Sequence, residues 1–365
     1  MVKLFFYFIS FFCIPTFLAA IEPDYRISPV VTGLNYPWAM AILPDNTFLI
    51  TQKPGSIRIV KNDILLDQQL SGVPDVVYSG QGGLLDICLH PNFKENKFIY
   101  LSYSKELDGF NKLVVTRYKL DGYALTLPQD IFVSKTKRKT ALHHGARLVF
   151  IGPNHLLISS GDGYSYMKQA QNLDTHFGKL ISLTADGGIP SANPFILHEN
   201  ALADIYTFGH RNPQGFAFDA KREIIYSHEH GPKGGDELNI IEPGKNYGWP
   251  EVTFGVDYSG RQISKYTHKN SIEPPIYHWT PSIALSSMII YTHDYFRHWK
   301  DDLFITGLKS RDVRRLTIKN NRVVKESVLF SELGVRLRYI AQSSTGELYL
   351  LQDSPNATLF KVERK

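Results

Sequence analysis

Cysteine is almost absent from this 365-residue chain: there are two, Cys13 and Cys88. Cys13 falls in an N-terminal segment that reads as removable, so the mature chain keeps Cys88 alone and forms no intrachain disulfide. Stability must then come from a large core, which this length permits. Long basic runs are also missing, the densest being Lys135 to Lys139, and the net charge is only +5. A nucleic-acid binder of this size would carry a basic stripe, so no nucleic-acid partner is expected, and the run itself reads as a solvated loop. Few stretches repeat apolar residues at helical spacing. Beyond residue 20 no apolar run is long enough to span a bilayer.

The first twenty residues are the exception. Met1 to Ala20 carries Lys3, an apolar run from Leu4 to Phe12 that resumes to Leu18, and small residues at Ala19 and Ala20. This is the pattern of a secretory signal peptide, with cleavage expected after Ala20 and a periplasmic or secreted mature chain of residues 21–365. It is too short, and too soon followed by polar sequence, for a stable membrane span.

What the chain does have is a repeat. A short apolar strand, a turn with Asp, Asn or Gly, a second alternating strand, a polar kink and a third strand recur at 38–60, 83–120, 146–183, 215–241, 287–318 and 338–362. Period-two alternation with Gly, Pro, Asp and Asn punctuation argues for antiparallel sheet throughout. Six such units in one domain predict an all-β fold, a six-bladed β-propeller, with 24–31 as a strand closing the ring on the last blade. A pair of packed sheets is the alternative, and the sixfold spacing speaks against it.

In a propeller, loops distant in sequence meet at the channel mouth, so polar loops without a packing role are the candidates. Gln81 lies in SGQGG, where glycines allow close backbone approach. His143, in LHHGAR, is a candidate general base, and Asp162, in GDG, could fix its tautomer. Arg211 and Asn212, in GHRNPQG, suit a carboxylate or a polarised carbonyl. His228 and His230 could be two zinc ligands on one strand face, but the following GPKGGDE, with Asp236 and Glu237, favours hard oxygen ligands and calcium. Arg336 and Arg338 are two apart, so like charges share one strand face, which favours an anionic ligand between them. Lys309, in GLKSRD, adds a cation. Trp279, in YHWTPS, suits a flat wall over a planar ligand or a place in the core.

Taken together, GLNYPWAMAILPD, GQGGLLDICLHPNF, HHGAR, GHRNPQG, HEHGPKGGDELN, NYGWP, GLKSRDV and GVRLRYI resemble, in this order, the soluble PQQ-dependent aldose sugar dehydrogenases, which include soluble glucose dehydrogenases. The resemblance implies pyrroloquinoline quinone and calcium at the mouth of a six-bladed propeller, and oxidation of the anomeric carbon of aldoses to lactones. It makes His143 the base, Asp162 its orienting partner and Arg211 the group polarising the quinone carbonyl. Gln81, Asn212, His230, Asp236 and Trp279 would line the cofactor, and Lys309, Arg336 and Arg338 would pair with its three carboxylates. The carbonyls of Gly231 and Pro232 would bind one calcium. Glu237 and Asp257, with backbone oxygens of Tyr247 and Thr253, would bind a second. Leu142 and His230 stand where the glucose-specific branch has an acidic residue and a glutamine, which favours a broad aldose range. An aldose substrate, a quinone or cytochrome electron acceptor, and a monomer or homodimer complete the expectation. A calcium-dependent lactonase and a non-catalytic sugar-binding propeller are the competing readings.

Overall fold

The computed structural model describes residues 24–365, so the expected signal peptide lies outside it. Among the described residues no helix is long and apolar enough to cross a membrane. Instead, strands form six four-stranded antiparallel sheets. The innermost strands, Pro37–Ile42, Leu84–Leu89, Gly145–Gly152, Pro213–Asp219, Leu285–Ile290 and Leu337–Gln342, pack against one another in turn around a closed ring. Each of the six sequence repeats is one blade. The fourth, outermost strands were not legible: Tyr277–Trp279 has three residues, and Ile64–Gln69 is mostly exposed, so neither carries a strong apolar period.

Ring closure is as expected and slightly longer. Tyr25–Leu34 pairs antiparallel with Ala357–Arg364, so the sixth sheet joins one N-terminal strand to three C-terminal ones.

The middle strands depart from simple alternation. Phe48–Gln52, Lys179–Leu183 and Leu303–Gly307 are buried at every position, because each sheet is covered on both faces by its neighbours. Apolar clusters fill the seams: Leu238, Trp279, Met288, Leu303 and Leu316 between the fourth and fifth blades, and Met40, Ile50, Tyr349 and Leu351 between the sixth and first. Each fully buried aliphatic contributes about 1.5–3 kcal/mol.

One irregularity recurs six times. Every innermost strand slips register near its start, leaving out of the ladder Trp38, Leu85 and Asp86, Ala146 and Arg147, Gln214, Ser286 and Ser287, and Arg338. Bulges re-aim side chains, and here they turn polar and aromatic groups toward the axis.

At the axis sits Arg147, only 4% exposed. Its guanidinium donates to Asp86 Oδ1 (3.2 Å), Gln214 O (2.6 Å) and Ser286 O (3.2 Å), and lies 3.8 Å from the Trp38 ring centroid and 5.0 Å from that of Tyr339. One side chain from the third blade therefore touches the other five. Burial pushes the Asp86 carboxyl up and the Arg147 guanidinium down. The Leu148 and Ile87 amides join Arg147 in donating to Asp86, and these three donors oppose the effect of burial on the carboxylate.

Arg147→Met keeps the length but strands the Asp86 charge. Urea unfolding should show a loss of about 3–5 kcal/mol, and a loss below about 1 kcal/mol would refute the role of this contact.

Candidate active site

His143 and Asp162 meet as expected. His143 Nδ1 is 2.7 Å from Asp162 Oδ1, and since a carboxylate only accepts, Nδ1 carries the hydrogen and Nε2 presents a lone pair. Asp162 is fixed in turn: Oδ2 accepts from Trp249 Nε1 (2.8 Å), Oδ1 from the Tyr164 amide (2.8 Å), and its own amide donates to Arg211 O (2.8 Å). The His143 amide donates to Gln81 Oε1 at 2.8 Å, which leaves the Gln81 amide hydrogens for other partners. Glycine is required at 161, where a Cβ would stand 2.3 Å from His143 O.

Burial first, with the Arg211 charge adding to it, lowers the His143 imidazole to about 4, against the raising effect of Asp162. Burial works to raise Asp162, but the His143 hydrogen bond and the Arg211 charge hold its carboxyl below the usual range. The pair is therefore a neutral imidazole on an anionic carboxylate, which is an oriented base.

The next residue has the opposite tautomer. Arg138 Nη1 can only donate, and it lies 2.8 Å from His144 Nδ1, so His144 carries its hydrogen on Nε2. Arg138 corrects an expectation, because its run reads as a solvated loop, yet this side chain is fully buried and also donates to Gly161 O at 3.0 Å.

A cavity of about 290 Å³ adjoins the base through its chain neighbours His144 and Gly145, although His143, Asp162 and Arg211 do not themselves line it. Gln81, Asn212, His230, Arg336 and Arg338 line it, so five of the residues named from sequence are brought together. His144, Lys53 and Asp353 are further lining groups that the sequence reading missed. Arg336 and Arg338 do have an anion between them, but it is a protein group: Asp353 Oδ2 is 2.9 Å from Arg336 Nη2 and 3.1 Å from Arg338 Nη2. His230 Nε2 donates to Leu285 O, and His228 packs its ring against Gly215 with neither nitrogen partnered by protein, so the two imidazoles do not converge as a zinc pair.

Arg211 Nη1 donates to the His230 and Gly231 carbonyls (3.0 and 2.9 Å), and its guanidinium lies 5.4 Å from the Trp249 ring centroid. Two exposed tyrosines flank these groups: Tyr164 stands edge-on to His143 at 5.3 Å, and Tyr258 stacks on Tyr164 at 6.5 Å with its hydroxyl 3.5 Å from Arg211 Nη2. Neither tyrosine is marked by the sequence motifs above, although Tyr164 directly follows the GDG that carries Asp162.

Three placements need correction. Trp279 is on the outermost strand of the fourth blade, in the seam with the fifth, where its Nε1 donates to Glu326 at 2.8 Å; it is a core residue and does not line the cavity. Lys309 is exposed, and its neighbour Leu308 lines the cavity instead. Asp236 does not line the cavity either. It is fully buried and accepts from the Gly231 amide (3.0 Å), Ser282 Oγ (2.7 and 2.8 Å) and the Ile283 and Ala284 amides (2.9 and 2.8 Å), which ties the 231 loop to the 282–284 turn.

A second, much smaller cavity of about 10 Å³ is lined by Glu229, Gly231, Glu237, Tyr247 and Thr253 among others. Burial, and then the Glu229 charge, push the Glu237 carboxyl well above its usual range. Asp257 is not part of this group, since its Oδ1 accepts from the amide and hydroxyl of Ser259 (2.8 and 2.6 Å). Gly231 and Pro232 are buried beside it, Gly231 O already facing Arg211.

A ring of six blades, an oriented base and a cationic cavity define a propeller with an enzyme's site, and its relatives, named as dehydrogenases, make the class oxidoreductase. Known proteins agree: the glucose/sorbosone dehydrogenase family profile matches residues 34–361. Aldose sugar dehydrogenase YliI of Escherichia coli is 38% identical over 98% of each chain. The apo-form crystal structure of a soluble aldose sugar dehydrogenase from Escherichia coli superposes with a TM-score of 0.90 at 38% identity, over 93% of this chain and 100% of that one. The PQQ-bound form of an aldose sugar dehydrogenase from Streptomyces coelicolor gives 0.75 at 26% identity, over 93% of this chain and 99% of that one. The chain belongs to the glucose/sorbosone dehydrogenase family.

Asp236→Ala removes the acceptor shared by four donors. Stability should fall by about 3 kcal/mol, with faster amide exchange at Gly231, Ile283 and Ala284; unchanged protection there would show that something else holds the loop.

Proposed function

We propose that this protein oxidises the anomeric carbon of aldoses to lactones with PQQ as its cofactor. The observation that carries the reading is the neutral, oriented His143 beside a cavity whose wall holds more cationic groups than carboxylates. His143 Nε2 takes the proton of the anomeric hydroxyl, and Asp162 stabilises the imidazolium that forms. Deprotonating that hydroxyl raises electron density on its carbon and weakens the C–H bond, so hydride departs more readily. When bound, PQQ supplies the quinone that accepts this hydride. Arg211 stabilises negative charge developing beside it, Gln81 and Asn212 offer amide donors, and Arg336 and Arg338 hold carboxylates. Tyr164 and Tyr258 offer the sugar an aromatic face at the mouth.

The fit to calcium is of two kinds. Gly231 O has a second lone pair beyond the Arg211 bond, so it and Pro232 O suit a hard cation at the cofactor. Glu237, with Tyr247 and Thr253, suits a structural ion, and the paired carboxylates of Glu229 and Glu237 favour it. Residues 1–20 support a periplasmic or secreted location, and a quinone or cytochrome would remove the electrons.

Apo-protein mixed with PQQ and calcium should reduce an artificial dye with several aldoses; no turnover with any of them overturns the reading. His143→Ala should bind PQQ but lose at least about a hundredfold in kcat. Because the His143 imidazole is lowered to about 4, its basic form persists above that pH, so kcat/KM should stay level through neutrality on the acid side and fall only toward pH 4. An acid limb near the ordinary histidine value would place the base elsewhere. Calcium should raise the Tm of the wild type, and Glu237→Gln should remove most of that rise; equal shifts in both would exclude Glu237 as a ligand.

A further inference from the structure

Lys53 follows the strand Phe48–Gln52 in the first blade and is held by its backbone from both sides. Its amide donates to Tyr36 O at 3.1 Å, and its carbonyl accepts from the Leu84 amide of the second blade at 3.0 Å. Glycine at 83 is what lets the two blades approach, since a Cβ there would stand 2.1 Å from Lys53 O. The side chain runs into the cavity wall, half-buried, with Nζ 5.5 Å from the Tyr36 ring centroid and 5.6 Å from that of Tyr78.

The ammonium is poorly matched by protein. Its one hydrogen bond is a long 3.3 Å contact to Gly80 O, although it has three hydrogens to donate. Among the described residues no carboxylate lies within ion-pair distance of it, and Asp353, the only carboxylate lining the cavity, is shared by Arg336 and Arg338. Three cations thus face one carboxylate across a partly desolvated space, an arrangement that repels itself unless an anion enters. Burial, with the charges of Arg338 and Arg336 adding to it and that of Asp353 opposing it, holds the Lys53 ammonium below its usual range.

We propose that Lys53 is a third cationic anchor of this cavity, donating to a carboxylate of the bound anionic cofactor from the first blade, which adjoins the sixth blade that carries Arg336 and Arg338. The proposal rests on the PQQ reading above. The rings of Tyr36 and Tyr78 flank the ammonium without neutralising its charge, and the turn that carries it is pinned before any ligand arrives.

The test is an equilibrium titration of folded apo-protein with PQQ, followed by the cofactor's absorbance and by quenching of tryptophan fluorescence, for the wild type, Lys53→Met and Lys53→Arg. Apo thermal unfolding of each variant reports folding separately. Lys53→Met should bind about tenfold to a hundredfold more weakly, as expected for loss of a charge-assisted hydrogen bond, and Lys53→Arg should recover most of the loss. Wild-type affinity should also fall more steeply with added salt than that of Lys53→Met. Equal Kd values for the wild type and Lys53→Met overturn the proposal while leaving the PQQ reading intact. Equal weakening in Lys53→Met and Lys53→Arg overturns it too, because the side chain would then act through shape. If the folded wild type takes up no PQQ, both fall together.

Discussion

The ring depends on a single buried cation. Arg147 gathers a carboxylate from the second blade, carbonyls from the fourth and fifth and aromatic faces from the first and sixth, and all but Tyr339 belong to residues displaced from their ladders by the register slips. Apolar clusters join some of the blades, the largest running through the first three. The guanidinium is the group that relates all six at once, and its planar fork with five donors is what makes that possible. A lysine would offer one point of charge and could not satisfy acceptors in three directions.

The same slips that feed the hub also build the cavity above it. Trp38, Leu85, Gln214 and Arg338 are each displaced from a ladder and each line the cavity. Structural closure and ligand binding thus draw on neighbouring atoms of the same strands. Electrostatically the two halves of the site are complementary. One wall holds excess positive charge, while the adjoining histidines are kept uncharged by burial, with opposite tautomers fixed by Asp162 and by Arg138. A base that stays neutral next to arginine is a consequence of this arrangement, since the neighbouring positive charge disfavours a second one.

Much of this was legible in the sequence. The repeat gave three strands of every blade, and glycine-rich loops with isolated polar residues marked His143, Asp162, Arg211 and Asn212. The failures share a cause. Trp279 stands in a short segment that reads as a loop, and its position on an outermost strand, against Glu326 of another blade, is set by pairing that no local pattern encodes. Lys53 sits on an ordinary turn, TQKPG, and only the approach of the second blade brings it to the cavity. Asp353 escaped notice for the same reason: its partners, Arg338 on the neighbouring strand and Arg336 just before it, meet it only through strand pairing. Arg138 reads as one charge in a basic run, whereas its burial depends on a histidine and a carbonyl contributed by loops further on.

The join between the two ends of the chain has a consequence for biosynthesis. Arg26 hydrogen-bonds Glu363 across a sequence separation of 337 residues, and the strand around it has no other ladder partner. Until the final strand emerges, the first one is an unpaired edge and the circle of sheets is open. Such long-range pairing is slow to form, so the circle of sheets closes only once the whole chain is available, and the first strand waits longest of all for its partner.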